Sequence, residues 1–221
     1  MKNHKYISRV HYITQDHPDK SHQQLALEAC MAGVDLVQLR LKNRSHSEVL
    51  DIALETQKIC KEYGATFIVN DHLEIAKEIN ADGVHLGKSD ENHITARKLL
   101  GDDKIIGGTA YNEKEALLLK SAGIVDYIGL GTFRKTETKP EITDFLSLDQ
   151  IGQLIESIGE LNDSSVPILV IGGVGLEDIR PLLSKGVYGI AIASLINHSN
   201  DKFHIMNEIR KNLNRKYVIN G

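Results

Sequence analysis

Eight short apolar runs recur along the chain, and each is followed by a longer amphipathic stretch. The runs fall at residues 10–15, 36–41, 66–70, 83–87, 105–109, 127–131, 167–172 and 189–193. Most are rich in Val, Ile and Tyr and end at Gly or a polar residue, as strands buried on both faces do. The stretches between them have helical spacing. Across 47–63, Val49, Leu50, Ile52, Ala53, Ile59 and Cys60 make one apolar face, and Glu, Lys and Gln fill much of the rest. Residues 113–122 and 176–185 read the same way, with Asn112 and Gly175 where helix entry is expected. Four helix ends share a small turn: Met31-Ala32-Gly33-Val34-Asp35, Asn80-Ala81-Asp82-Gly83, Ser121-Ala122-Gly123 and Ser184-Lys185-Gly186. Glycine closes a helix there because it accepts the left-handed conformation cheaply.

Eight strands that each feed a helix leave two main arrangements, a closed barrel or an open doubly wound sheet. The count of eight and the even spacing favour an α/β (β/α)8 TIM barrel. An open dinucleotide-binding sheet would carry GxGxxG after its first strand; here that strand runs into Thr14-Gln15-Asp16. No linker or low-complexity tract interrupts the pattern. The expectation is one single domain over 1–221, a length common for one barrel. The longest connection, 132–147, is of a length usually reserved for function.

In such a barrel, residues just past the strand ends converge on one mouth. Strand two delivers Gln38, Arg40 and Lys42 on one side, with Leu39 and Leu41 on the other. Three polar groups facing inward are costly unless they bind something, and two cations suit an anion. A salt-bridge layer closing the barrel would use the same residues. Strands three and four deliver Asn70-Asp71 and Gly87-Lys88-Ser89-Asp90. Two carboxylates beside cations suit a Mg²⁺ held by few carboxylates and by substrate phosphates. Either Asp could instead be a helix cap. Strand five brings the Thr109 hydroxyl. The loop after strand six interleaves Thr136 and Thr138 with Arg134, Lys135 and Lys139, which suits a phosphate or a plain solvated loop. Gly172-Gly173 after strand seven and the small strand eight, ending in Ala193-Ser194, suit a backbone phosphate site. His85 reads as a barrel-layer residue and His72 as an exposed helix residue.

The net charge of −4 argues against non-specific nucleic-acid binding but not against a local anion site. None of the ten His has metal-ligand spacing, so no zinc site is expected. Cys30 and Cys60 sit in helical patterns, with no CxxC, which suits a reducing cytoplasm. The N-terminal stretch has no apolar signal region, and no apolar run approaches the ~20 residues needed to span a bilayer. Cytoplasmic location and small phosphorylated partners are expected, with no nucleic acid and no membrane. A homo-oligomer is compatible with the sequence.

Six segments taken in order resemble the thiamine phosphate synthase family: QLRLK (38–42), FIVND (67–71), ADGVHLGKSD (81–90), IIGGT (105–109), DYIGLGTFRKTETKP (126–140) and VIGGVGLEDI (170–179). The resemblance runs from the first strand to the eighth. It implies a transferase that joins 4-amino-2-methyl-5-pyrimidylmethyl diphosphate to a thiazole phosphate, carboxylated or not, and releases pyrophosphate. It further implies that Gln38, Arg40, Lys42, Asn70, Thr109 and Lys139 hold the pyrimidine diphosphate and that Asp71 and Asp90 bind Mg²⁺. Thr136, Thr138, Gly173, Ala193 and Ser194 would contact the thiazole phosphate. The chain departs from the family pattern at Leu41, Thr109, Tyr111, Glu137 and Ala193. Two other readings remain at this point. One is the related thiazole tautomerase, which the resemblance associates with a His where Tyr111 stands. The other is a non-catalytic phosphate-binding barrel.

Overall fold

In the computed structural model, which describes residues 5–135, 144–159 and 166–214, eight parallel strands close into a barrel in chain order. The strands are β1 (Val10–Ile13), β2 (Leu36–Leu39), β3 (Thr66–Asn70), β4 (Gly83–Leu86), β5 (Ile105–Ala110), β6 (Tyr127–Leu130), β7 (Ile168–Ile171) and β8 (Gly189–Ile192). Around them lie α1 (His22–Met31), α2 (His46–Tyr63), α3 (Leu73–Glu78), α4 (His93–Leu100), α5 (Glu113–Ala122), α6 (Leu148–Gly159), α7 (Leu176–Ser184), α8 (Ser194–Asn197) and α9 (Lys202–Asn214). The ring is closed by β1 against β8, with Val10 opposite Ile190 and Tyr12 opposite Ile192.

The helices start where local chemistry satisfies their free N–H groups. Ser21 and Ser45 form capping boxes with Gln24 and Glu48. Asn112 caps α5 by accepting from Glu115 N, and Gly175 precedes α7. Of the four expected glycine stops, Gly33, Gly123 and Gly186 have positive φ. The fourth differs. Asn80 takes the left-handed turn at φ 52°, and Gly83 begins β4 instead. A Cβ on Gly83 would lie 2.2 Å from the Ile105 carbonyl oxygen, so glycine is needed there for strand approach rather than for helix termination.

The pleat sorts side chains into two cores. Val37, Leu39, Phe67, Val69, Ile106, Ile128, Val170 and Ile190 point outward and pack against the helices. Leu36, Ile68, Ile105, Tyr127 and Leu169 form a separate inner layer with Ile7. Leu41 is buried in the outer core, so it faces away from the mouth as expected. Six of the expected strands overrun the observed ends by one or two residues. Of the overrunning residues, Thr14, Gln15, Arg40, Gly172 and Ala193 line the mouth.

The closed end is held by aspartates that each precede an even-numbered strand. Asp82 accepts from Phe67 N at 2.8 Å. Asp126 accepts from Ile106 N at 2.8 Å and pairs with Arg97 and Lys5 at 2.7 and 3.0 Å. Asp35 accepts from Ser8 Oγ at 2.6 Å. These contacts are far from the strand C-termini, so they serve stability.

Inside the barrel, the Tyr127 ring occupies the space a side chain on Gly107 would need. An added Cβ would lie 2.2 Å from Tyr127 Cζ and 2.5 Å from His85 Nδ1. Gly107→Ala is therefore expected to destabilise the fold by about 2–3 kcal/mol, read as a lowered urea midpoint at unchanged m-value.

Candidate active site

Alternate residues from all the strands meet at the C-terminal end in a cavity of about 1040 Å³, its open mouth included. Gln38, Arg40, Asn70, Thr109, Gly173, Ala193 and Ser194, each expected from sequence, line this one cavity. Lys42, Asp71 and Asp90 stand together just past the strand ends. Thr136, Thr138 and Lys139, with Glu137, lie outside the described residues.

The carboxylates are not helix caps. The cap of α3 is His72 and that of α4 is Asn92, whose side chain accepts from Ile94 N at 2.8 Å. His72 is thus a half-buried cap, not an exposed helix residue. Asp71 has φ 66°, a strained value that turns the chain sharply after Asn70. Its carboxylate pairs with Lys42. Asp90 accepts from Gly87 N at 2.6 Å, which fixes it over the end of β4. Burial pushes the Asp90 carboxyl up, and the Asp71 side chain within hydrogen-bonding reach adds to this. Like charges this close favour a proton or a cation between them.

The floor of the cavity is polar and fully packed. Tyr127 OH lies 2.9 Å from His85 Nδ1, and His85 Nε2 lies 2.8 Å from Thr109 Oγ1. The His85 and Tyr127 rings stack at 5.4 Å. Burial pushes the Tyr127 phenol well above its usual range. His85 is therefore both a barrel-layer residue and a wall of the site. Reading the sequence alone missed His11, Thr14 and Tyr127 as lining residues. The signal for His11 was present: it is a polar residue in the inward phase of Val10-His11-Tyr12. Its ring meets Tyr127 edge-on at 4.6 Å, and Nε2 has no partner among the described residues. Burial, then the neighbouring His85, lowers its pKa to about 3.

On the far side, Gly172 and Gly173 have φ of 102° and 63°. A Cβ on Gly172 would lie 2.5 Å from Thr132 Cγ2 and 3.1 Å from Phe133 N, so glycine lets the β7 loop pack closely on the β6 loop. Phe133 N and Arg134 N donate to Ile171 O and Gly172 O at 3.0 and 2.9 Å. Arg134 then forks onto Asp178 at the start of α7, with Nη2 2.6 Å from Oδ1. Short α8 begins at Ser194, directly after β8 and Ala193. Tyr111 lines the cavity at the end of β5.

Among the described residues no group of three or more His, Cys, Asp or Glu side chains could hold a metal ion, and no helix is long and apolar enough to cross a membrane.

Residues 10–196 match the family model described as thiamine monophosphate synthase. A thiamine-phosphate synthase of Flavobacterium psychrophilum is 37% identical over 206 residues, covering 93% of this chain and 99% of the relative. One from Flavobacterium johnsoniae is 36% identical over 212 residues, covering 96% and 99%. The solved thiamine phosphate pyrophosphorylase of Pyrococcus furiosus superposes with a TM-score of 0.78 at 29% identity, over 93% of this chain and 95% of that one.

The buried His11 makes a pH prediction. Its folded pKa of about 3 lies below the ordinary 6.5, so the unfolded chain binds the extra proton between those values. Stability from this group is present above pH 6.5 and is lost as pH falls towards 3. His11→Asn is expected to lower the slope of unfolding free energy against pH, measured in urea between pH 6 and 4, by about 1.4 kcal/mol per pH unit.

Proposed function

Since the chain belongs to the thiamine monophosphate synthase family of transferases in thiamine biosynthesis, we propose that its mouth joins the pyrimidylmethyl diphosphate to a thiazole phosphate, yielding thiamine phosphate and pyrophosphate. The observation that supports this best is the convergence of Gln38, Arg40, Asn70 and Thr109 in one cavity, beside the Lys42, Asp71 and Asp90 cluster. A diphosphate-bearing heteroaromatic ring needs such a pairing of a polar, enclosed floor with a charged rim.

The residues suit Mg²⁺. Two carboxylates within hydrogen-bonding reach leave most of the shell to water and phosphate oxygens, as Mg²⁺ prefers. Asp71 and Asp90 would hold the ion. When bound, it would neutralise charge on the diphosphate.

In the proposed reaction the bond between the pyrimidylmethyl carbon and the diphosphate oxygen breaks, and its electron pair leaves with pyrophosphate. The electron-rich ring stabilises the resulting cation. Arg40, Lys42 and Lys139 would hold the negative charge growing on the leaving group, which lowers the barrier electrostatically. Gln38, Asn70 and Thr109 would orient the pyrimidine. The thiazole nitrogen then donates its lone pair to the carbon. Thr136, Thr138 and the backbone at Gly173, Ala193 and Ser194 would hold the thiazole phosphate in line. No protein nucleophile is required.

The tautomerase reading has less support, because Tyr111 offers no imidazole at the cavity wall and the rim keeps both carboxylates. The buried free thiols of Cys30 and Cys60 suit a reducing cytoplasm.

The assay is direct: purified protein, both substrates and Mg²⁺, with thiamine phosphate and pyrophosphate measured. No product would sink the proposal. Asp71→Asn tests the rim, because Asn tolerates the positive φ of 66° and the fold is kept. It is expected to lower kcat by about a hundredfold or more and to weaken activation by Mg²⁺, with an unchanged circular dichroism spectrum. Wild-type turnover in this variant would remove Asp71 from the reaction.

A further inference from the structure

A hydrogen-bonded relay at the mouth end of β1 takes no direct part in the chemistry just described. Thr14 N donates to Gln38 O at 2.9 Å. In a parallel ladder, the next rung would run from Arg40 N to the Thr14 carbonyl. Arg40 N instead donates to the Thr14 hydroxyl oxygen, at 3.1 Å. Since β2 ends at Leu39, this bond tethers the first residue beyond the strand.

An oxygen that accepts from Arg40 N has its own proton free to donate. His22 Nδ1 lies 2.8 Å from it. The Asp16 carboxylate, which can only accept, assigns the tautomer of the neutral ring. Nδ1 accepts, and the ring proton sits on Nε2, which faces Asp16 Oδ1 at 3.3 Å. Arg44 Nη2 lies 3.6 Å from the same Asp16 oxygen. Thr14 is fully buried and His22 is 7% exposed, so water does not freely replace the bonds of the Thr14 hydroxyl. The relay runs Arg40 N–H to Thr14 hydroxyl to His22 to Asp16. It joins the end of β2 to the end of β1 and to the first residue of α1.

We propose that His22 is a positioning residue which, through the Thr14 hydroxyl, sets how the end of β2 presents Arg40 to the diphosphate end of the substrate. This rests on the reading of Arg40 as a diphosphate-binding residue. The physical basis is the single rotor of the hydroxyl. Without an acceptor at His22 the Thr14 proton has no fixed direction, and the oxygen no longer holds its lone pair on Arg40 N.

Four variants and one control test it by steady-state kinetics on the full chain. His22→Leu removes the acceptor and is expected to raise KM for the pyrimidylmethyl diphosphate about tenfold, leaving KM for the thiazole phosphate unchanged. His22→Asn returns an oxygen near the Nδ1 position and is expected to bring KM back to within about twofold of wild type. Thr14→Val is expected to match His22→Leu, and the double variant to be no worse than either, because the relay is already cut. Equal rises in both KM values, no rescue by His22→Asn, or full additivity with Thr14→Val would each overturn the proposal. Arg40→Ala is the control. If it raises the diphosphate KM and His22→Leu does not, the relay alone is wrong. If Arg40→Ala leaves that KM unchanged, the reading of Arg40 fails and the relay's proposed purpose fails with it.

Discussion

A closed ring of parallel strands has no edge, and its closure fixes which side chains can meet. Once β8 pairs with β1, every second residue must face the axis, where space is limited. The interior is filled from the closed end by Leu36, Ile68, Ile105, Leu169 and the Tyr127 ring. Above that layer most inward residues are polar, or small like Gly107 and Gly129, with Ile13 and Ile171 among the apolar ones. The change in composition along one barrel axis separates a packed base from a hollow mouth. Tyr127 stands at the boundary. Its ring belongs to the inner core, and its hydroxyl reaches His85.

Charge follows the same axis. At the base, Asp35, Asp82 and Asp126 bind backbone N–H groups, hydroxyls or cations and are used up in closing the fold. At the mouth the charges are less completely satisfied. Asp90 is raised by burial and by the Asp71 side chain near it, and Lys42 pairs with Asp71 from an exposed position. A group set that repels itself when empty binds a charged ligand with relief of that repulsion. The same fold thus separates a stabilising end from an end whose charges remain open to a ligand.

Much of this was legible in the sequence because it is local. Gln38, Arg40, Asn70 and Thr109 stand at the ends of short apolar runs, and an inward phase follows from counting by two. The Asn112 cap and the αL glycines at 33, 123 and 186 obey rules that involve a few neighbouring residues. Gly83 was misread because its reason is not local: it makes room for the Ile105 carbonyl on the next strand. The alternative that Asp71 and Asp90 are helix caps failed at short range. Local composition suits a cap, but the caps are His72 and Asn92, one and two residues later.

The sequence alone thus determined the order of strands and helices, the barrel they form and the residue types at most strand ends. Those depend on periodicities of two and 3.6 residues, which are written along the chain. The tertiary structure decided which of these groups touch. Tyr127 beneath His85, Asp71 beside Asp90, and the Thr14 hydroxyl between Arg40 and His22 are contacts between different elements. They exist only once closure and register are set, because a pleated strand specifies the direction of a side chain but not the partner it finds across the barrel.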